Sequence, residues 1–293
     1  MPLTQKQQFM IRSLSQLGNV YVSLYLENNR QAYPRRGNHW IDGLGFFLKG
    51  YAFERQGTSP AYSKNACEAL RNILRDNRRR VPGRVLSREL WREFCLIGGY
   101  VGGRGANPKR NPLKPRIGRD VISICSGLVD DSHNIFAFAQ GALHSLEDDE
   151  VRTAHQQLCR IRGVGPKIAS FFLRDVAIDS GLANALIASN IKLQPIDIWI
   201  RRIVSSLCND IDGASDNDFA ERVVDLAKDA GESPLLFNAG AWYFGARVAR
   251  RISDVEKALE RRDVMRRTIQ EYIDQIRVEL AGLEQTHHQI MQD

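Results

Sequence analysis

Two residues in this sequence have the type and setting for covalent chemistry on a polyanion. Lys167 directly follows Gly163-Val164-Gly165-Pro166, and Asp197 stands thirty positions downstream in Pro195-Ile196-Asp197. Glycines at 163 and 165 permit positive φ in a tight turn that leaves backbone N–H groups exposed. Pro166 suits the first position of a helix, where its missing N–H would have no intrahelical partner. The pattern predicts helix, hairpin, helix, with the N–H groups of the turn and the positive end of the second helix forming a site for a phosphate. An amine beside that site is a nucleophile once uncharged, and the helix N-terminus and partial desolvation both push a lysine in that direction. Asp197 takes the N-cap position of a later helix. A carboxylate there is either a cap, contributing about 0.5–2 kcal/mol, or a group that balances positive charge developing on a substrate.

The elements that must position these residues read as helices. Glu147 to Arg160 supplies the first helix of the hairpin. After the turn, Ile168, Phe171, Phe172 and Val176 share an apolar face, with Lys167, Ser170 and Arg174 on another side. Upstream, helical spacing covers Thr4 to Leu26, Trp40 to Arg55, Ala61 to Asn77, Ser87 to Ile97, Asp120 to Val129 and Asn134 to Leu143. Downstream, Ile198, Ile200, Ile203, Val204 and Leu207 form the apolar set of the helix that Asp197 opens, followed by helices over Asp218 to Ala230 and Ser233 to Arg251. The tail from Ile252 to Ile290 carries a 3-4 spacing that reads as a heptad seam with polar interruptions. It either pairs with a second copy of the chain or folds back on the body. No stretch alternates convincingly as a strand, so the expected fold class is all-α.

Charge narrows the partner. The net charge is +7, and the excess is regional: 14 Lys or Arg face 4 Asp or Glu between Arg71 and Asp120, while the rest of the chain is slightly acidic. Within that region Arg104, Lys109, Arg110, Lys114 and Arg116 lie among turn formers. They form either a loop laid along a phosphate backbone, where each neutralised phosphate releases a counterion, or a solvated surface loop. Hydrophobic residues at 43% and charged residues at 26% suit a soluble globular protein. No apolar run reaches the roughly 18 residues needed to span a membrane, and the first residues lack the apolar core of a secretory signal. The expectation is an intracellular protein with no membrane partner. The five cysteines are scattered, without a C-x-x-C pair, and indicate buried thiols rather than disulfides or a thiolate metal site.

Ile161-Arg162-Gly163-Val164-Gly165-Pro166-Lys167-Ile168-Ala169 and, after it, Pro195-Ile196-Asp197-Ile198-Trp199-Ile200-Arg201-Arg202 resemble the signature stretches of the helix-hairpin-helix/Gly-Pro-Asp superfamily of DNA glycosylases, in particular its endonuclease III-like and 8-oxoguanine glycosylase-like branches. The resemblance covers about Leu158 to Val204. It implies a two-lobed all-α glycosylase fold with the site in the cleft. Residues 1–57 would pack with 205–251 as one lobe, 58–204 would carry the hairpin, and 252–293 would be a long C-terminal helix. It implies double-stranded DNA with a damaged or modified base as partner, and a bifunctional glycosylase/AP lyase that excises the base and nicks the strand by Schiff-base β-elimination. Lys167 would be the nucleophile and Asp197 the catalytic aspartate. Gly163, Val164 and Gly165, with Arg104, Lys109, Arg110, Lys114 and Arg116, would hold the DNA backbone. Phe46, Trp242 and Tyr243 either line the base pocket or pack in the core. The alternatives are a non-catalytic helix-hairpin-helix DNA-binding or scaffolding protein, and a monofunctional glycosylase that does not use Lys167. Three features depart from the family pattern. The Lys167 to Asp197 interval is longer than usual, and Trp199 stands where many relatives have histidine. No four-cysteine cluster follows Asp197, so neither an iron–sulfur cluster nor another cofactor is expected.

Overall fold

A computed structural model describes residues 2–52, 64–65, 68–69, 71–73, 89, 92–98, 134–161, 164–208, 211 and 213–290, and the side chains of all of these except 41 and 286–290. Among them every regular element is helical and there is no strand. In chain order the α-helices are α1 (Gln5–Tyr21), α2 (Glu27–Ala32), α3 (Trp40–Phe47), α4 (Ile135–His144), α5 (Asp148–Cys159), α6 (Pro166–Asp179), α7 (Ile198–Leu207), α8 (Asp216–Asp229), α9 (Pro234–Tyr243), α10 (Ile252–Glu260) and α11 (Arg262–Ile290). No described helix is long and apolar enough to cross a membrane. Arg104, Lys109, Arg110, Lys114, Arg116 and Gly163 lie outside the described residues, as do most of the expected helix over 61–77 and that over 120–129.

The chain divides into two units, one made of Met1–Tyr21 with Ile196–Asp293 and the other of Val22–Pro195. This differs from the expected lobe of 1–57 with 205–251. Only α1 joins the later helices, and residues 22–52 belong with the hairpin. The physical reason lies in α3 and the π-helical turn Leu48–Ala52. Their rings, Phe46, Phe47 and Tyr51, close edge-on on Phe136 of α4 and Phe172 of α6 with centroids 4.8–5.2 Å apart, a spacing at which edge-to-face aromatic pairs add to simple burial. A second tie is polar. Arg36 grips both oxygens of Asp179 at the end of α6, at 2.7–2.9 Å, Arg30 bonds the same carboxylate, and the Arg36 guanidinium lies over the rings of Phe46 and Phe136. The segment that carries Arg30 and Arg36, between α1 and α3, is thus a clamp on the helix that carries Lys167.

In the other unit α1 crosses α9 at backbone contact. A methyl on Gly240 would lie 1.7 Å from the Leu14 carbonyl oxygen, and one on Gly18 would lie 2.2 Å from that of Leu236. Neither helix backbone yields cheaply, so Gly240→Ala is expected to lower stability by about 3 kcal/mol or more, read as a fall in the denaturant midpoint at unchanged slope.

Three long helical patterns are interrupted. Thr4 to Leu26 is α1 followed by a π-helical turn at Val22–Leu26, and Ser233 to Arg251 is α9 followed by a π-helical stretch at Phe244–Ala249. That stretch ends at Arg250, a non-glycine residue in the left-handed region (φ 62°). The expected single C-terminal helix is two, broken at Arg261, whose backbone is extended. Of the two fates open to the tail, α10 folds back, burying Val255, Ala258 and Leu259 within its own unit. The first turns of α11 do likewise: Met265 is fully buried, and Arg262 and Arg266 lie over Phe9. Ile273, Ile276, Leu280 and Leu283, further along the seam, are exposed.

Candidate functional site

Lys167 is the second residue of α6 and its side chain is exposed, not partly covered as expected. Helix geometry turns it away from Phe172, Leu173 and Val176, which are fully buried. Gly165 is the N-cap, with φ −93° and ψ 177°, which is extended backbone open to any residue rather than the positive φ expected of it. A Cβ built on Gly165 would meet nothing within 4 Å. The first bond of the α6 ladder runs from Ala169 N to Gly165 O at 3.1 Å. The N–H groups of Lys167 and Ile168 therefore precede the ladder, and no side chain caps them. Val164 does not offer its N–H to a ligand as expected. It donates to Ile161 O at 2.9 Å, and its side chain is buried, pinning the turn from inside.

Beneath this turn lies a cluster that periodicity did not reveal. His155 Nε2 stands 3.1 Å from the carbonyl oxygen of Pro166 and 3.2 Å from Ser170 Oγ, and His155 Nδ1 lies 3.8 Å from Cys159 Sγ. A carbonyl only accepts, so Nε2 carries the ring proton; Nδ1 of the neutral ring then accepts from the thiol. Burial pushes the His155 pKa below the ordinary 6.5, the bond to Pro166 works against that shift, and the positive charge of Lys192 works with it. Burial also pushes the Cys159 thiol up, partly offset by Lys192, which keeps it a hydrogen-bond donor at neutral pH. The unfolded chain then takes up a proton at His155 before the folded one does. Stability is held above pH 6.5 and declines as pH falls from that value through the depressed folded pKa. His155→Gln is expected to flatten this part of a thermal-midpoint profile measured between pH 7.5 and 5. The signal available in the sequence was the i, i+4 pair His155 and Cys159 at the end of the helix before the hairpin.

Ser170 and Arg174, on the side of α6 away from its apolar face, are buried as well. Arg174 has no exposed surface. Its Nε donates to Asp175 Oδ1 at 2.8 Å, and Tyr51 Oη donates to Asp175 Oδ2 at 2.9 Å. Burial of the pair is compensated by these bonds, which fix α6 a little more than two turns beyond Lys167.

Asp197 lies in the other unit, half-buried at the N-cap of α7. Its Oδ1 accepts from Trp199 N at 2.9 Å and Ile200 N at 3.0 Å. Ile200, Ile203, Val204 and Leu207 are buried as expected, but Ile198 is 53% exposed, since it precedes the buried stripe by less than a turn. Trp199, whose presence the sequence left unexplained, packs its indole against Gly245 so closely that a Cβ there would lie 2.7 Å from the ring. The first turn of α7, and with it Asp197, is seated on the π-helical stretch. Arg201 pairs with Asp216 and lies over Phe219, and Arg202 approaches Glu256 at 3.9 Å.

The aromatic residues offered as a base pocket have core roles. Phe46 is fully buried in the ring cluster of its unit, and Tyr243 is 1% exposed, with its hydroxyl 2.9 Å from that of Tyr272. Trp242 meets Tyr21 edge-on at 5.7 Å and is half-buried. A recess of about 340 Å³ between α7 and α10, lined by Lys6, Arg202, Ser206, Glu256 and Glu260 among others, contains none of the residues expected at the site. The chain matches no family model, no curated protein and no solved structure.

Proposed function

We propose that this chain is a DNA glycosylase with AP-lyase activity, built on a two-lobed helix-hairpin-helix/Gly-Pro-Asp fold. The observation that carries this reading is Gly165. Its backbone is one that any residue adopts, and its missing Cβ would point into open space. Among the described residues nothing there calls for glycine, and close approach of a partner's backbone does. The uncapped N–H groups of Lys167 and Ile168 face the same opening at the positive end of a fourteen-residue helix, a setting suited to a phosphate. The amine of Lys167 stands beside it.

In this reading the lone pair of Lys167 Nζ attacks C1′ of an extruded nucleotide. The C1′–N bond to the base breaks, the base leaves with the electron pair and takes a proton from solvent, and the amine gives its proton to Asp197. The carboxylate also offsets the oxocarbenium charge at the sugar. The C1′–O4′ bond then opens, O4′ taking the proton held by Asp197 and the nitrogen lone pair forming the C1′=N bond of an iminium ion. Loss of a C2′ proton then expels the 3′ phosphate and nicks the strand.

A monofunctional or purely DNA-binding protein is the second reading, favoured by one fact: the two capping bonds of Asp197 account for that residue without any chemistry. Incubation with duplex DNA containing an abasic site, followed by borohydride, separates the readings. The bifunctional enzyme gives a covalent adduct and a nicked strand. Base release from a lesion panel without an adduct indicates the monofunctional enzyme, and binding without either indicates the scaffold. Gly165→Ala is expected to weaken binding to a duplex with a tetrahydrofuran site by about tenfold while changing stability by less than about 1 kcal/mol.

A further inference from the structure

A buried histidine, hydrogen-bonded to residues on either side of the candidate nucleophile, is left unused by the proposed chemistry. We infer that His155 is a positioning residue: its neutral ring is a strut that holds the first turn of α6, and so the backbone of Lys167, against the last turn of α5. This rests on the reading of Lys167 as the nucleophile for its functional consequence, but not for the strut itself.

The geometry argues for it in three ways. First, the ring spans the hairpin. Cys159, which ends α5, bonds to one nitrogen, and Pro166 and Ser170, on either side of Lys167 in α6, bond to the other. Among the described residues of the turn, Val164 N bonds to Ile161 O, a short-range tie. Second, Pro166 is the first helical residue, so its carbonyl direction fixes the peptide plane that carries the Lys167 N–H. A bond to that carbonyl orients the N–H the hairpin would present to a phosphate. Third, the ring is 7% exposed, so a lost bond here is not replaced by bulk water. A surface histidine would lend no such rigidity. A positioned amine reacts faster because its approach to the electrophile is settled before binding.

The test uses the full chain, with His155→Phe removing the bonds at similar volume and His155→Gln keeping an N–H donor on a side chain of similar reach. In the wild-type protein, ring nitrogen shifts are expected to show a neutral imidazole protonated at Nε2; an Nδ1-protonated or freely exchanging ring overturns the strut. Amide exchange over residues 164–170 is expected to quicken about tenfold in His155→Phe and return to within about threefold of wild type in His155→Gln. Equal protection in all three proteins overturns the inference. In single-turnover borohydride trapping, the Phe variant is expected to lose about tenfold in rate with affinity for tetrahydrofuran duplex changed less than about threefold, and the Gln variant to recover. Rate and affinity falling together in both variants would indicate general loosening and overturn the positioning role. If the wild-type protein forms no adduct, the glycosylase/lyase reading fails, while the ring tautomer and amide exchange still decide whether the strut exists.

Discussion

On the proposed reading, in which the Lys167 amine supplies the covalent step, Lys167→Gln should abolish the borohydride-trapped adduct and lower strand nicking at an abasic site by at least about a thousandfold. Stability should stay within about 0.5 kcal/mol of wild type, because the side chain is exposed and forms none of the buried bonds that anchor α6. Affinity for a tetrahydrofuran duplex should fall only modestly. One phosphate-facing cation is lost, so the slope of log affinity against log salt should shrink by about one. Unchanged trapping in this variant would remove Lys167 from the chemistry while leaving the hairpin as a phosphate grip.

Asp197 calls for a pair of variants, because capping and catalysis make different demands on one side chain. Asn retains an oxygen able to accept from Trp199 N and Ile200 N, and it caps helices about as well as Asp. Asp197→Asn should therefore keep the thermal midpoint while slowing adduct formation about 10²–10³-fold, the usual consequence of removing one preorganised electrostatic partner. Asp197→Ala should be as slow and also lose about 0.5–2 kcal/mol of stability. If Asn is fully active and Ala merely unstable, the carboxylate is a cap alone.

Much of the helical scaffold was legible because the spacing of apolar residues reports burial directly. The limits of α4 and α5 fall within a residue or two of those the pattern predicts, and Asp197 takes the N-cap position the pattern gave it, whereas Lys167 is more exposed than the partial covering expected. Periodicity sorts side chains by type and is blind to partners far along the chain. It leaves Arg174 off the apolar face without saying what surrounds it, whereas Asp175 and Tyr51, the latter more than a hundred positions earlier, hold the group inside. It runs Ser233 to Arg251 as one helix because a π-helical register keeps the apolar spacing nearly intact while rotating the face. The hairpin was read from its glycines, yet Gly165 proves extended, and the N–H of Val164 is consumed by the turn itself. The His155 cluster escaped notice because its partners are a carbonyl and a thiol, which carry no charge pattern.

One consequence follows from α1 belonging with α9 rather than with the helices that come next in sequence. As the polypeptide leaves the ribosome, α1 emerges ahead of α9 with its glycine-notched face bare, and the helix that fits the notch is made only after the whole 22–195 unit. That inner unit can fold while translation continues; the outer one must wait for its second half. Until then the apolar side of α1 stays accessible to chaperones and to neighbouring nascent chains, so the yield of native protein should depend on how quickly the stretch that begins at Ile196 is read.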